Sequence, residues 1–463
     1  MNLLDTIAAI STPYGKGGIA VIRISGENAI AVAQKVFFPK SKRLLSDIKS
    51  NVATFGSILG AKSKNDEYID DGIAVVFRAP ASFTGEDTVE ISCHGGILIT
   101  QKVLESVLAA GARIAMPGEF TKRAFINGKM SLTSAEALGD LLEAANDDQI
   151  SIARSGMRGN LSEKATQIYD SLCNVLAAIY AHIDYPDEDL ADISREEMLA
   201  VCNNAMIALR DLAKTYSTGH AIAEGVSTAI LGRTNAGKST LYNQLVGRDA
   251  AIVTDIAGTT RDVLTEKATL GRVTLRLSDT AGLRQSNDTV EKIGIDRARR
   301  EAENAELIFA VFDGSLEACP EDAELVNYLG SLSATKIAII NKTDLGQNDS
   351  LNKLTSGFEY RVFISASNGN GIDALASAVE RIYIDKNLSM SDDAIVSNSR
   401  QNAAVTAAID ALSLAIGAIQ GDLPLEVCCV EVESTLSALG ELDGRTVSED
   451  IISRIFSNFC VGK

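Results

Sequence analysis

The run Gly232-Arg-Thr-Asn-Ala-Gly237-Lys238-Ser239 brings two glycines, a lysine and a hydroxyl together in the spacing G-x-x-x-x-G-K-[ST]. Residue types in this order suit one task, holding a polyphosphate. Glycines let successive backbone N–H groups turn inward around phosphate oxygens, and a helix starting behind them adds the positive end of its dipole. Lys238 can reach the β and γ phosphates, and the Ser239 hydroxyl can ligate Mg2+. Asn235, Ala236, Gly237 and Thr240 fill out the same cradle. The spacing alone has an appreciable false-positive rate. Its weight comes from the motifs farther along the chain.

Thr254-Asp255-Ile256-Ala257-Gly258-Thr259-Thr260 offers Thr260 as a second Mg2+ ligand and γ-phosphate contact. Further on comes Asp279-Thr280-Ala281-Gly282, where Asp279 can hold the Mg2+ shell and the Gly282 N–H can sense the γ-phosphate. Asn341-Lys342-Thr343-Asp344 and Ser365-Ala366-Ser367 complete the series. Asp344 can accept two bonds from the N1–H and exocyclic amine of guanine. Adenine has no donors there and would leave the carboxylate unpaired, a mismatch that discriminates strongly. These elements in this order imply a GTP site.

One usual part is missing. A glutamine directly after D-x-x-G orients the attacking water in Ras-type enzymes, but here that position is Leu283. Arg284 and Glu291 are downstream candidates with suitable chemistry, beside Lys238 at the phosphates. On spacing alone, Glu291 reads more simply as an exposed carboxylate at a helix start.

Strands and helices must position these groups. Val226–231, Leu275–278, 307–312 and 336–340 are short apolar runs that alternate with helical segments, the rhythm of a mostly parallel sheet. The predicted fold is multidomain α/β: an α+β domain over 1–129, a helical segment over 130–222, a Ras-like P-loop domain over 223–386, and a second helical segment over 387–463. The simplest arrangement inserts the nucleotide domain into a helical domain built from both flanks. In the first domain Ile19–24, 73–77 and 88–92 read as strands, and Leu98–110 as a helix ended by Gly111. Thr133-Ser-Ala-Glu136 fits a capping box. Helices are expected around 168–179, 198–212 and 403–419, the last with Ile409, Leu412, Ile416 and Ile419 on one face. The segment Tyr185-Pro186-Asp-Glu-Asp189 reads as a solvated acidic turn.

Composition sets outer bounds. At 463 residues the chain has room for roughly three domains. No apolar run reaches the roughly 18 to 20 residues of a membrane span, and no secretory signal is read at the start. Seven scattered cysteines argue for reduced thiols and a cytoplasmic setting; adjacent Cys428 and Cys429 read as packing. Cys93 with His94 is too small a set for a metal site. The net charge of -18 is awkward for a nucleic-acid binder unless a partner or an uneven distribution supplies the basic surface.

Across essentially its whole length the chain resembles the MnmE (TrmE) family of tRNA-modification GTPases. The resemblance is carried by Gly17-Gly-Ile-Ala-Val-Ile-Arg23-Ile-Ser-Gly26, Ser82-Phe-Thr-Gly-Glu-Asp87, His94-Gly-Gly96 and Pro117-Gly-Glu-Phe120. It continues through Asn235-Ala-Gly-Lys-Ser239, Asp255-Ile-Ala-Gly-Thr-Thr-Arg-Asp262 and the terminal Phe459-Cys-Val-Gly-Lys463. Thr234 stands where proline is more usual, and Gly444-Arg445 where a glycine–acidic pair is commoner.

The resemblance implies a K+-dependent GTPase whose nucleotide domains dimerise during turnover. Asn235, Thr254, Ile256 and Thr259 would surround the K+, and Ser239 and Thr260 would ligate Mg2+. It also implies that Glu291 positions the water, reversing the weighting from spacing. A tetrahydrofolate derivative (5-formyl- or methylene-tetrahydrofolate) would be held by Arg23, Glu90, Lys129 and Lys463. The implied assembly is a homodimer joined through N-terminal domains, and a heterotetramer with MnmG, which brings FAD and NADH. The implied product is an aminomethyl-type group on C5 of the wobble uridine in certain tRNAs. Cys460 is the family's near-terminal cysteine, with no role legible. The last four residues fit a prenylation box poorly, and lipidation is rejected. The competing reading is a switch in ribosome assembly or signalling, against which stand the folate-like positions and the lack of a KH-type module after the nucleotide domain. A non-catalytic binding module conflicts with intact Lys238, Ser239, Thr260 and Asp279.

Overall fold

The structure is a computed structural model that describes residues 5–60, 67–184, 194–249, 265–278, 299–457, 459 and 461–462. It divides into two compact units, Met1–Gly139 with Ser437–Lys463, and Asp140–Leu436. The last stretch of chain therefore groups with the N-terminal domain, while the helical flanks and the nucleotide block share one unit.

In the first unit, β1 (Ile7–Ile10), β2 (Ile19–Ser25), β3 (Phe37–Pro39), β4 (Thr54–Leu59), β5 (Tyr68–Phe77), β6 (Thr88–His94) and β7 (Arg113–Ile114) form one sheet in the order β3-β4-β5-β6-β2-β1-β7. The pairings are antiparallel except β1 with β7. Alternation does the folding: Ile22, Ile24, Val89 and Ile91 point into a core covered by Val103 and Val107 of the Ile97–Ala109 helix. Arg23 and Glu90, directly opposite in the register, point the other way. Around the Glu119–Ile126 helix lies a buried ionic network. Glu119 accepts from Arg113 (2.8 Å) and Arg123 (3.0 Å), and Arg123 also reaches Glu86 and the Asp5 carbonyl. Burial alone would raise the Glu119 carboxyl, but the Arg113 hydrogen bonds and the Met116 N–H hold it below its ordinary range.

The expected cap moves by two residues. The helix Leu132–Glu143 starts ahead of Thr133, and the Ser131 hydroxyl accepts from the Ser134 N–H at 3.1 Å. Thr133 is buried inside the helix. The local sequence offers hydroxyls at 131, 133 and 134, and tertiary burial of Leu132 and Thr133 selects the first.

The second unit opens with the helix Asp147–Arg158, capped by Asn146, followed by helices Asn160–Asp184 and Arg195–Ala223. The last is longer than expected at both ends, because Ser194 and Glu197 form a capping box and residues 218–222 are buried. Ser399–Gln420 departs from expectation twice. By length and composition it is apolar enough to cross a membrane, although its face of Ala404, Ala408, Leu412, Ala415 and Ile419 is buried in the unit. The buried stripe runs through alanines, and Ile409 and Ile416 only flank it.

The nucleotide block is a sheet in the order β13-β12-β11-β8-β10-β9. Its strands are β8 (Val226–Leu231), β9 (Thr265–Leu270), β10 (Val273–Ser278), β11 (Leu307–Asp313), β12 (Thr335–Asn341) and β13 (Tyr360–Phe363). All pairings are parallel except β9 with β10. β11 is buried at every position, as a strand covered on both faces must be. One face packs under helices Lys238–Asp249 and Ile372–Tyr383, the other under Pro320–Gly330.

His220, 5% exposed, lies where the Arg195–Ala223 helix meets this sheet. Its two ring nitrogens face Glu224 (2.8 Å) and Glu306 (3.0 Å). Glu306 also accepts from the Ser227 N–H of β8 and lies near Arg276 of β10, and Glu224 accepts from the Ser399 hydroxyl. Burial opposes the charged imidazole, but the two carboxylates more than offset it and push its pKa up from 6.5 to about 9. A histidine raised in the folded state stabilises fully below its ordinary value and loses that contribution as pH climbs through the folded one. His220→Gln should therefore cost most stability at or below pH 6.5 and progressively less through pH 9, read as the gap between wild-type and variant urea midpoints.

Candidate nucleotide site

β8 runs buried to Leu231, the chain turns through 232–237, and a helix begins at Lys238. Asn235 adopts a left-handed φ of 62°, which asparagine tolerates better than most side chains. Gly237, at φ 99°, has no such latitude: a Cβ there would overlap the Asn341 amide nitrogen. Lys238 Nζ folds back over the loop and donates to the carbonyls of Gly232 and Arg233, both at 2.9 Å. Burial holds its pKa below the ordinary lysine value. Two neutral carbonyls are weak compensation for a desolvated ammonium, so the site favours an incoming anion.

Asn341, at the end of β12, is 2% exposed and joins two loops. Its amide nitrogen donates to the Ala236 carbonyl and its amide oxygen accepts from the Ala366 N–H, each at 2.9 Å. Lys342, left-handed at φ 62°, donates to Asp313 at 2.7 Å. Burial would raise the Asp313 carboxyl, but Lys342 and Ser315 keep it lowered. The Thr343 N–H bonds the Ile364 carbonyl, and Ser365 and Ser367 have their hydroxyls 3.2 Å apart. Asp344 is exposed.

The structure thus brings Asn235, Ala236, Gly237, Lys238, Ser239 and Thr240 together with Asn341–Asp344 and Ser365–Ser367 at one end of the sheet. Ser239 and Asn235 present a hydroxyl and an amide oxygen, hard donors that suit Mg2+ and K+ respectively. Among the described residues, no group of three or more His, Cys, Asp or Glu forms a metal cage. Thr254–Thr260, Asp279–Gly282, Leu283, Arg284, Glu291, Cys460 and Lys463 lie outside the described residues.

Two partners escaped the sequence reading. Arg233, inside the loop, donates to the Cys319 sulfur at 3.2 Å and lies 3.9 Å from buried Asp322. Asp313 holds the 341–344 loop through Lys342. A carboxylate ending the all-apolar strand β11 was the one available signal for it; nothing in the sequence marks the partners of Arg233.

In the first unit, Arg23 and Glu90 pair at 2.8 Å, and the guanidinium lies 5.3 Å from the Phe83 ring centroid. Lys129 is exposed, donates to the Pro80 carbonyl at 2.9 Å and runs beside Gly85. Both cations therefore border the 80–85 loop. A cation beside an aromatic ring and a second, exposed cation suit a planar ligand with an acidic tail.

Residues 6–129 match a family profile described as GTP-binding protein TrmE N-terminus, and 132–460 one described as MnmE helical domain. The tRNA modification GTPase MnmE of Lactococcus lactis subsp. cremoris (strain MG1363) is 39% identical over 460 residues, 99% of this chain and 98% of its own. Its counterpart from Alkaliphilus oremlandii (strain OhILAs) is 38% identical over 465 residues, 100% of both chains. Among solved structures, Era of Aquifex aeolicus aligns over 40% of this chain and 66% of its own, with 26% identity and a TM-score of 0.27.

Gly237 and Gly247 separate site from scaffold. A Cβ at Gly247, within the Lys238–Asp249 helix, meets nothing within 4 Å. Gly237→Ala should abolish binding of a fluorescent guanine nucleotide, while Gly247→Ala should bind normally and gain about 0.5–1 kcal/mol of stability from helix propensity.

Proposed function

Since the chain belongs to the MnmE family of tRNA modification GTPases, we propose that it hydrolyses GTP in the service of modifying C5 of the wobble uridine in certain tRNAs. The observation that carries the nucleotide part is the buried Asn341 bridge between the phosphate loop and the 365–367 loop, with Lys238 poised over the first and Asp344 exposed beside the second.

In this reading Asn235–Thr240, Thr254–Thr260, Asp279–Gly282, Asn341–Asp344 and Ser365–Ser367 bind GTP. Lys238 neutralises the β and γ phosphates and Asp344 reads guanine. Mg2+ held by Ser239 and Thr260, and K+ held by Asn235, Thr254, Ile256 and Thr259, would neutralise charge developing between phosphates. Glu291 orients the attacking water, since Leu283 has no group to do so. The working division is 1–129, 130–222, 223–386 and 387–463, with the third segment pairing with its copy during turnover.

Arg23, Glu90, Lys129 and Lys463 hold a tetrahydrofolate one-carbon donor in the first domain. Support comes from the two cations bordering one loop. The same domain joins two copies into a homodimer. Phe55 and Ile73 are directly opposed on β4 and β5 and exposed at 55% and 43%, an apolar face a second copy would cover. MnmG brings FAD, and the acidic chain relies on it for much of the basic surface that tRNA requires. The setting is cytoplasmic.

Mass spectrometry of tRNA nucleosides from a strain lacking this chain tests the function: wobble-uridine modification should disappear and return with the wild-type sequence. Unchanged modification would sink the proposal. Separately, GTP turnover by the purified chain should be much faster in K+ than in Na+ at equal ionic strength, whereas equal rates would remove Asn235 as a cation ligand.

A further inference from the structure

The hairpin of β9 and β10 occupies a particular place in the chain. It directly follows the segment holding Thr254–Thr260 and directly precedes Asp279–Gly282. Its strands pair residue for residue from Thr265↔Ser278 to Leu270↔Val273, with no register shift. Six residues of regular strand span about 20 Å, and such a ladder resists slippage because a slip would turn each buried side chain outward. A displacement at its open end therefore reaches its turn.

That turn is fastened outside the nucleotide block. Gly271 takes φ 63°, and Arg272 forks onto Asp148, Nε to Oδ2 at 2.6 Å and the terminal nitrogen to Oδ1 at 3.1 Å. Next to it, the Gln149 amide donates to both the Thr274 hydroxyl and the Ile222 carbonyl at 3.0 Å, and that hydroxyl donates to Ile222 at 2.9 Å. Asp148 and Gln149 lie in the first turn of the Asp147–Arg158 helix, whose cap Asn146 accepts from the Gln149 N–H. The Arg272 N–H meanwhile bonds Glu380 of the Ile372–Tyr383 helix at 2.8 Å. A turn that needed only solvent cover would not require a planar fork, an amide bridge and a backbone bond on separate helices.

We propose that Arg272, with Asp148 and Gln149, forms a latch through which the β9–β10 hairpin reports the state of the bound nucleotide to the Asp147–Arg158 helix of the helical segment. The inference rests on the GTPase function proposed for the chain. The hairpin is the lever, carried at its open end by the two nucleotide-contacting segments. The bidentate fork is the joint, because two parallel N–H···O bonds transmit rotation as well as translation where a single bond would swivel. Asp148 gives the helix a charge at its N-terminus, so releasing or tightening the fork changes how firmly the first turn holds.

Hydrogen–deuterium exchange on the full-length protein tests the latch, comparing GDP with a non-hydrolysable GTP analogue whose binding is verified by fluorescence titration in the same samples. In the wild type, exchange in residues 147–158 should change by about fivefold or more between the two nucleotides, the lower end of ordinary coupling between sites. Arg272→Gln should lose that difference while keeping GTP affinity and hydrolysis rate close to wild type. Asp148→Asn, which leaves the hairpin sequence intact, should lose it too. A nucleotide response that persists in both variants overturns the latch, as does its absence in wild-type protein that binds both nucleotides. Protein that binds neither nucleotide overturns the GTPase function itself, and the latch with it.

Discussion

One buried amide fixes the geometry of the nucleotide site. Asn341 has a donor and an acceptor, and each is spent on the backbone of a different loop, Ala236 on one side and Ala366 on the other. Both bonds are out of water, so a loop that moved away would leave a buried polar group unpaired, at about 1–3 kcal/mol. Gly237 is the other half of the same constraint, since the amide sits where a side chain would be. The parallel sheet makes this possible: β8 and β12 end at the same edge with β11 between them, so the loops after them must emerge as neighbours.

From that constraint the charges take their places. The loop is closed enough to desolvate Lys238 yet gives it only carbonyls, a pairing that an anion improves. Lys342 is drawn the other way, into Asp313, which leaves Asp344 exposed beside it. Many cations described elsewhere are also committed internally: Arg23 to Glu90, Arg113 and Arg123 to Glu119, Arg272 to Asp148. Each arginine paired with one of the chain's own carboxylates is less free to meet a phosphate backbone, which supports the proposed basic partner at the tRNA.

What could be read from the sequence was what covalent spacing determines. The strand–loop–helix around Gly232–Ser239 is local, and β8 falls at Val226–Leu231 as the hydrophobic run requires. In the first domain β2, β5 and β6 were legible from short apolar runs closed by turn residues, whereas β1, β3, β4 and β7 were not read. Choices settled by tertiary burial were not legible. Ser131 rather than Thr133 caps its helix, because the neighbouring residues are drawn into the core. The Ser399–Gln420 helix packs on alanines between the isoleucines, since close approach favours small side chains. His220 gave no signal at all: its meaning comes from Glu306, 86 residues away. The folate-type positions became visible only through resemblance, as each alone reads as surface charge.

The joints share one design. Asn341 bridges two loops through its side chain, His220 links the end of its helix to Glu306 just before β11, and Arg272 ties the hairpin to one helix through its guanidinium and to another through its backbone N–H. Apolar packing could hold the same elements together, but it is non-directional and tolerates sliding. Directed bonds at partly buried positions tolerate little displacement before they break, so each joint has few states rather than a continuum. A GTPase that lacks a glutamine after D-x-x-G must gain its rate by bringing other groups into place. Few-state joints let an event at the phosphates be felt at a helix far along the chain, because a displacement too small to matter in an apolar contact is enough to break or make a fork.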